Sequence, residues 1–283
     1  VVKKMKTVCI CGAGTMGSGI AQVAAQAGFP TIQFDISESM IEKSRSTIVN
    51  SLQKLIEKGK INEAKKTAVI NRIHFTCNIS ECIADLIIEA IVEKKDAKAE
   101  LFNKLAAINK TETIFATNTS SLSVTEIADK IKNPERVAGM HFFNPAPVMK
   151  LIEVVRAQQT DDNTINEIVS VAKAMGKIPV VCKDASGFIV NRVARQYYLE
   201  AMRLAEDGII DFKTIDALME SAGFKMGPFK LMDLIGLDVN YSVSNIVWEA
   251  LGKPERLQPL SIQKAKVDAG ELGRKTGKGF YEY

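Results

Sequence analysis

Two residues suited to acid–base chemistry stand in one segment near the middle of the chain. His141 is one of two histidines, and Glu153 interrupts an apolar run, 151–155, that is typical of a buried strand. An unpaired carboxylate in such a run is costly, so Glu153 requires a cationic or hydrogen-bonding partner. An imidazole is a suitable partner, and a histidine oriented by a buried carboxylate can act as a general base. The alternatives are a histidine that is only a satisfied loop residue and a glutamate on a solvated strand edge.

A glycine-rich turn near the start of the chain predicts what such a base would work with. A short apolar strand leads into the sequence G-A-G-T-M-G, which a helical pattern and a second strand follow. In such a turn Gly12 permits the tight bend, Gly14 lets the backbone approach a pyrophosphate, and Gly17 lets helix and strand pack closely. Asp35 ends the second strand, where an acid accepts hydrogen bonds from the adenosine ribose and repels a 2′-phosphate. The pattern predicts a site for NAD(H) in preference to NADP(H).

Polar side chains follow another predicted strand, 113–117. They are the amide and hydroxyls of Asn118-Thr119-Ser120-Ser121. The carboxyl ends of parallel strands are where α/β folds place ligand contacts, and the next strand brings His141 to the same edge. The alternative is that Ser120 or Ser123 only caps the following helix.

The order of elements predicts an α/β fold: a Rossmann-type doubly wound sheet with an inserted helical pair, followed by an all-α C-terminal domain. The NAD-binding domain spans 1–185, with the helical insertion at about 37–73, and the helical domain spans 186–283. We expect the second domain to contribute a substrate cleft and a homodimer contact, because small helical domains often complete their core by oligomerising.

Two basic segments have alternative interpretations. The inserted helices, predicted at 37–58 and 62–73, carry lysines at 54, 58, 60, 65 and 66, which form either a solvated face or a phosphate-binding arm. The glycine-rich tail at 273–281 is either a flexible end or a loop that folds back on the cofactor.

Composition excludes several other classes of function. A net charge of +4 on 283 residues gives no case for nucleic-acid binding. No run approaches the ~18 apolar residues of a membrane span. The N-terminal residues show no signal peptide. Five cysteines in apolar contexts predict buried thiols in a reducing, cytoplasmic compartment, and no metal site is expected.

These motifs together resemble the 3-hydroxyacyl-CoA dehydrogenase family, most closely its stand-alone 3-hydroxybutyryl-CoA dehydrogenases. The resemblance spans the whole chain and is carried by H-F-F-N-P with Glu153, by N-T-S-S, by G-F-I-V-N-R at 187–192 and by the tail G-R-K-T-G-K-G-F-Y. It implies NAD-dependent interconversion of acetoacetyl-CoA and (S)-3-hydroxybutyryl-CoA, in which His141 is the base and Glu153 its partner. Ser120 and Asn191 would hydrogen-bond the substrate and His141.

The resemblance also implies a set of binding residues. The cofactor contacts would be Gly12, Gly14, Gly17, Asp35, Glu93, Lys98, Ser120, Asn144 and Lys275. The CoA contacts would be Ser51, Lys54, Lys58, Ser120 and Asn191. Two other functions stay open: a non-enzymatic structural protein of the same fold, and a dehydrogenase for free hydroxy acids.

Overall fold

The computed structural model describes residues 7–283 and divides the chain into two compact units. The first ends at Asp184 and the second runs from Ala185 to Tyr283. Residues 1–6, on which the signal-peptide prediction depends, lie outside the described residues.

The first unit is built on one eight-stranded sheet. Its strands are β1 Val8–Cys11, β2 Thr31–Phe34, β3 Ile73–Thr76, β4 Leu86–Glu89, β5 Ile114–Thr117, β6 Val137–Phe142, β7 Leu151–Arg156 and β8 Ile178–Lys183. Its helices are α1 Thr15–Gln26, α2 Glu38–Glu57, α3 Glu63–Ile70, α4 Lys95–Ala106, α5 Val124–Ala128 and α6 Asp162–Ala174.

The strand order is β3-β2-β1-β4-β5-β6-β7-β8, which confirms the doubly wound sheet. Strands β1 to β6 run parallel, β7 is antiparallel to β6, and β8 is parallel to β7. The chain order reverses between β1 and β4, and the crevice at such a point is where α/β sheets bind ligands. Strands β1, β4, β5 and β6 are buried throughout, as expected where helices cover both faces.

The structure corrects the end of the inserted helical pair. The second helix was predicted to reach Ile73, but α3 ends at Ile70 and Ile73 begins the edge strand β3 beside β2. Four residues give too short a pattern to separate from a preceding helix. Of the five predicted exposed lysines, Lys66 is half-buried and donates a hydrogen bond to Gln53.

The cysteines follow the prediction in part. Cys9 and Cys11 share one buried face of β1, with their Sγ atoms 3.9 Å apart, and Cys82 is also buried. Cys77 is exposed, so the prediction that every cysteine is buried was wrong. Within residues 7–283, no helix combines the length and apolar character that a membrane crossing requires. The cytoplasmic location stays a prediction.

The second unit is helical, as predicted. Its helices are α7 Val190–Glu206, α8 Phe212–Ser221, α9 Pro228–Ile235, α10 Leu237–Ala250 and α11 Ser261–Asp268. An aromatic cluster of Phe212, Phe229, Phe280 and Tyr281 joins two of these helices to the end of the chain.

Two buried carboxylates hold the tail of the second unit. Asp233 accepts hydrogen bonds from the backbone N–H groups of Phe280 and Tyr281, at 3.0 and 2.9 Å. Asp216 accepts one from the Tyr281 hydroxyl at 2.7 Å. The interpretation of the tail as a flexible end is therefore wrong.

Candidate active site

His141 and Glu153 face each other across the antiparallel pair β6–β7. They are direct register partners, and His141 Nδ1 lies 2.6 Å from Glu153 Oε2. Both side chains are almost fully buried. An ionised carboxylate only accepts hydrogen bonds, so Nδ1 is the donor and Nε2 is the basic nitrogen of the neutral ring. Strand β6 continues to Phe142, so His141 is held by backbone pairing and is not a loop residue.

The polar loop 118–121, here called the serine loop, lies against the end of β6. Asn118 Oδ1 accepts a hydrogen bond from Phe142 N at 2.8 Å, and Asn118 N donates to Glu89 O at 2.8 Å. Ser120 is therefore carried on a segment fixed beside the residue that follows His141. Ser123, and not Ser120, caps α5, because its hydroxyl accepts from Glu126 N.

The glycine-rich turn has the geometry of a nucleotide cradle. Gly12 has φ +109°, and a Cβ there would lie 2.5 Å from Ala90 O. A Cβ at Gly17 would lie 1.8 Å from Gly12 O, so the helix approaches the turn more closely than any other residue permits. A Cβ at Gly14 meets nothing within 4 Å, which leaves open space at the N-terminus of α1. Helix N-termini with such space bind phosphates.

Asp35 lies beside this turn at the end of β2. Its Oδ2 accepts from Ala13 N at 2.8 Å, and its Oδ1 accepts from Ser37 N at 3.0 Å. The carboxylate thus joins the glycine-rich turn to the start of α2 and remains half-buried. Each carboxylate oxygen has a further lone pair for a ribose hydroxyl. The residues present fit a dinucleotide with a free 2′-hydroxyl.

Glu93 and Lys98 occupy different environments, although both were predicted to contact the cofactor. Glu93 is exposed at one side and accepts hydrogen bonds from the serine loop. Lys98 is fully buried, and its Nζ lies 2.7 Å from Glu89 Oε1 and 3.0 Å from Glu93 Oε2. Sequence reasoning missed Glu89, although a lone carboxylate ending the apolar strand L-I-I-E is the same signal that identified Glu153.

The remaining predicted contacts lie on separate elements. Asn144 is exposed in the turn after β6, whose Ala146 packs against Gly19 of α1. Ser51 and Lys54 lie on α2 and Lys58 directly follows it; the serine is half-buried and the two lysines are exposed. Within residues 7–283, neither lysine forms an ion pair with a carboxylate, unlike Lys66.

Asn191 and Lys275 belong to the second unit. Asn191 is in the first turn of α7, and its backbone carbonyl accepts from Arg195 Nε at 3.0 Å. Lys275 stands in a short 3₁₀ turn, with its Nζ 2.6 Å from Asp238 Oδ1. Burial would raise the pKa of the Asp238 carboxyl, but its hydrogen bond and charge interaction with Lys275 hold that pKa below the usual value.

Comparison with known proteins assigns both units. Residues 7–185 match the family model for the 3-hydroxyacyl-CoA dehydrogenase NAD binding domain, and residues 187–283 match the model for the C-terminal domain of the same family. The chain belongs to the 3-hydroxyacyl-CoA dehydrogenase family. This is a family of NAD-dependent oxidoreductases, so the cofactor is NAD(H) and the first unit carries its binding domain.

Relatives of this family resemble the chain over nearly its whole length. The chain is 43% identical to the 3-hydroxyadipyl-CoA dehydrogenase of Escherichia coli over 99% of its own length, but spans 59% of that protein. It is 41% identical to the human mitochondrial hydroxyacyl-coenzyme A dehydrogenase, and the alignment covers 99% of this chain and 91% of the human protein. The structure of (S)-3-hydroxybutyryl-CoA dehydrogenase from Ralstonia eutropha superposes with a TM-score of 0.94, at 37% identity and 99% coverage of both chains.

Proposed function

We propose that this chain interconverts (S)-3-hydroxybutyryl-CoA and acetoacetyl-CoA with NAD(H), using His141 and Glu153 as the acid–base pair. The observation that carries the proposal is the buried contact of 2.6 Å between Nδ1 and the Glu153 carboxylate. It fixes the ring orientation and the tautomer, and it places a negative charge beside the ring when Nε2 gains a proton.

The proposed reaction balances with one proton and one hydride. In the oxidative direction Nε2 of His141 takes the proton of the substrate 3-hydroxyl, and the 3-carbon loses a hydride as its carbonyl forms. NAD⁺ held at the glycine-rich turn would supply the acceptor for that hydride. In reverse, protonated His141 polarises the carbonyl and returns the proton. Ser120 and Asn191 would donate hydrogen bonds to the substrate oxygens, which orient it and stabilise developing negative charge.

The CoA portion of the substrate would be held by Ser51, Lys54 and Lys58. Ser51 and Lys54 lie on α2, which begins three residues after Asp35, and Lys58 directly follows this helix. The two lysines are exposed and form no competing ion pair among the described residues. An exposed ammonium group without a carboxylate partner is suited to a phosphate ligand.

A direct assay tests the proposal. NADH oxidation is followed with acetoacetyl-CoA, with free acetoacetate, and with NADPH in place of NADH. Turnover restricted to the CoA ester and NADH is expected. Turnover of free acetoacetate at a comparable rate would favour a dehydrogenase for free hydroxy acids. A folded sample that binds NADH but turns over neither substrate would favour a structural role.

The second unit is also the proposed homodimer contact. It exposes several large apolar side chains outside its core: Ile209, Leu218, Phe224, Leu234, Ile235 and Val239. A helical unit that leaves such side chains in water is stabilised when a second copy covers them. Sedimentation equilibrium is expected to give twice the mass of the chain, and a monomer at all concentrations would refute the contact.

A further inference from the structure

Glu89, at the end of β4, is a buried carboxylate whose two oxygens both have hydrogen-bond donors. Glu89 is fully buried, and its Oε1 accepts hydrogen bonds from Lys98 Nζ and Ile91 N, both at 2.7 Å. Its Oε2 accepts from the Thr117 hydroxyl at 2.7 Å. Burial raises the pKa of Glu89, while the Lys98 charge and these hydrogen bonds oppose the shift. A group with such complete hydrogen bonding is held in one orientation.

Lys98 extends from α4 between two carboxylates. Only 1% of its side chain is exposed, and its Nζ contacts Glu89 and Glu93 at 2.7 and 3.0 Å. Lysines are almost never fully buried unless they are paired. Two of the three donors of its ammonium group are therefore directed at side chains of its own chain.

Glu93 connects Lys98 to the serine loop. Its Oε1 accepts hydrogen bonds from the Thr119 hydroxyl, from Ser120 N at 3.2 Å and from the Ser121 hydroxyl at 3.1 Å. Burial would raise the pKa of Glu93, but the Lys98 ammonium and the hydroxyls of the serine loop hold it below its usual value. An ionised Glu93 can accept from all three donors, whereas a protonated carboxyl loses acceptor capacity.

We propose that Glu89 and Lys98 are positioning residues, which hold Glu93 ionised and in place so that it fixes the serine loop and Ser120. The catalytic meaning of this network rests on the proposed function, through the role of Ser120. The order of residues 119–121 should depend on the charge of Lys98 whether or not the chain has the proposed function.

The test compares three proteins: the unaltered chain, the double variant Glu89→Gln/Lys98→Met and the control Lys104→Met. The double variant removes both partners of the buried pair, so neither charge is left unpaired. Glutamine Oε1 can still accept from Ile91 N, and its Nε2 can donate to the Thr117 hydroxyl oxygen in a reversed hydrogen bond. Lys104 lies on the same helix but is exposed and pairs with Glu100. Hydrogen exchange at Ser120 and Ser121, expressed as protection relative to intrinsic rates, is measured from about pH 5 to about pH 8, with NADH affinity in parallel.

Without Lys98 the pKa of Glu93 should rise, since the adjacent ammonium group no longer favours the ionised carboxylate. As the pH is lowered, protection of the serine loop in the double variant should therefore be lost at a higher pH than in the other two proteins. NADH affinity should fall about tenfold at the acid end and recover at about pH 8. Unchanged protection would overturn the proposal. Unchanged protection together with an equal loss of NADH affinity at every pH would also overturn it, because that result assigns Lys98 to cofactor contact alone.

The exchange measurement requires no substrate. If the unaltered chain fails to reduce acetoacetyl-CoA, the proposed function fails while the exchange result still decides the network. If the chain is active but the exchange profiles coincide, only the network proposal fails.

Discussion

The first unit contains two histidine–glutamate pairs, and His141 with Glu153 is the buried one. The other pair, His74 with Glu81, is exposed, with Nε2 2.5 Å from the carboxylate. The two pairs have similar separations, so distance does not distinguish them. Burial and the choice of ring nitrogen do: His141 uses Nδ1, which keeps Nε2 as the basic atom, whereas His74 uses Nε2 itself. The second pair therefore provides a control for each residue of the first.

Replacing the proposed base should abolish most of the activity. His141→Gln is expected to lower kcat by about 10²- to 10⁴-fold, which is the usual contribution of a positioned general base. NADH affinity should change little, because the glycine-rich turn is untouched. The measurement is NADH oxidation with acetoacetyl-CoA beside an NADH titration. His74→Gln should retain full activity, and a similar loss in that control would show that general destabilisation is being measured.

Glu153→Gln tests the orienting carboxylate. Glutamine can donate to Nδ1, which favours the tautomer with the proton on Nε2, the wrong form for a base. We expect kcat to fall by roughly 10²-fold or more, with KM for acetoacetyl-CoA nearly unchanged. Glu81→Gln is the matched control. A kcat within about twofold of the original would remove Glu153 from the proposed mechanism.

Asp35→Ala tests cofactor choice. The substitution removes an ionised acceptor from the end of β2, and hydrogen bonds to charged groups contribute about 1.5–3 kcal/mol. NADH should bind at least about tenfold more weakly. Discrimination against NADPH should narrow, because the charge that repels a 2′-phosphate is gone. Titration of both nucleotides checks this expectation, and Glu38→Gln, in the first turn of α2, serves as the control. An unchanged ratio of the two affinities would contradict the assignment.

The CoA assignment predicts a change in KM. Lys54→Ala and Lys58→Ala should each raise KM for acetoacetyl-CoA about two- to fivefold and leave kcat largely unchanged, because exposed charge contacts contribute up to about 1 kcal/mol. The effect should shrink as ionic strength rises. Lys65→Ala, an exposed lysine on α3, is the control. Equal KM values for all three variants would indicate that Lys54 and Lys58 belong to a solvated helix face and do not bind CoA.

Tyr281→Phe tests how the tail is held. The change deletes the hydroxyl that donates to buried Asp216, so the free energy of unfolding should fall by about 1.5–3 kcal/mol. Tyr241→Phe is the control, since that hydroxyl makes no hydrogen bond within residues 7–283. Chemical denaturation measures both, and equal stability of the two variants would contradict the prediction.

The same tyrosine predicts a dependence on pH. Burial and the hydrogen bond to Asp216 raise the pKa of Tyr281. A group with a raised folded-state pKa stabilises fully below its unfolded pKa, and this stabilisation is lost as the pH rises further. Stability of the unaltered protein should therefore decline above about pH 10, more steeply than that of Tyr281→Phe.

Local patterns in the sequence determined a large part of this protein. The glycine-rich turn, Asp35 and the alternation of strands and helices predicted the doubly wound sheet, because each depends on contacts between residues close in the chain. The His141–Glu153 pairing was also predictable from the sequence, since a lone carboxylate in an apolar strand requires a partner. The short strand β3 was not, because four residues give too little pattern to outweigh a preceding helix.

The tertiary structure decided what each polar residue faces. Lys98 and Lys54 look alike in sequence, yet one is enclosed between Glu89 and Glu93 and the other is in solvent. Likewise, only the folded chain brings Asp233 and Asp216 to the tail. These contacts join residues far apart in sequence, and no periodicity records which distant group will meet a buried charge. Burial fixes the cost of an unpaired charge, and the fold alone supplies its partner.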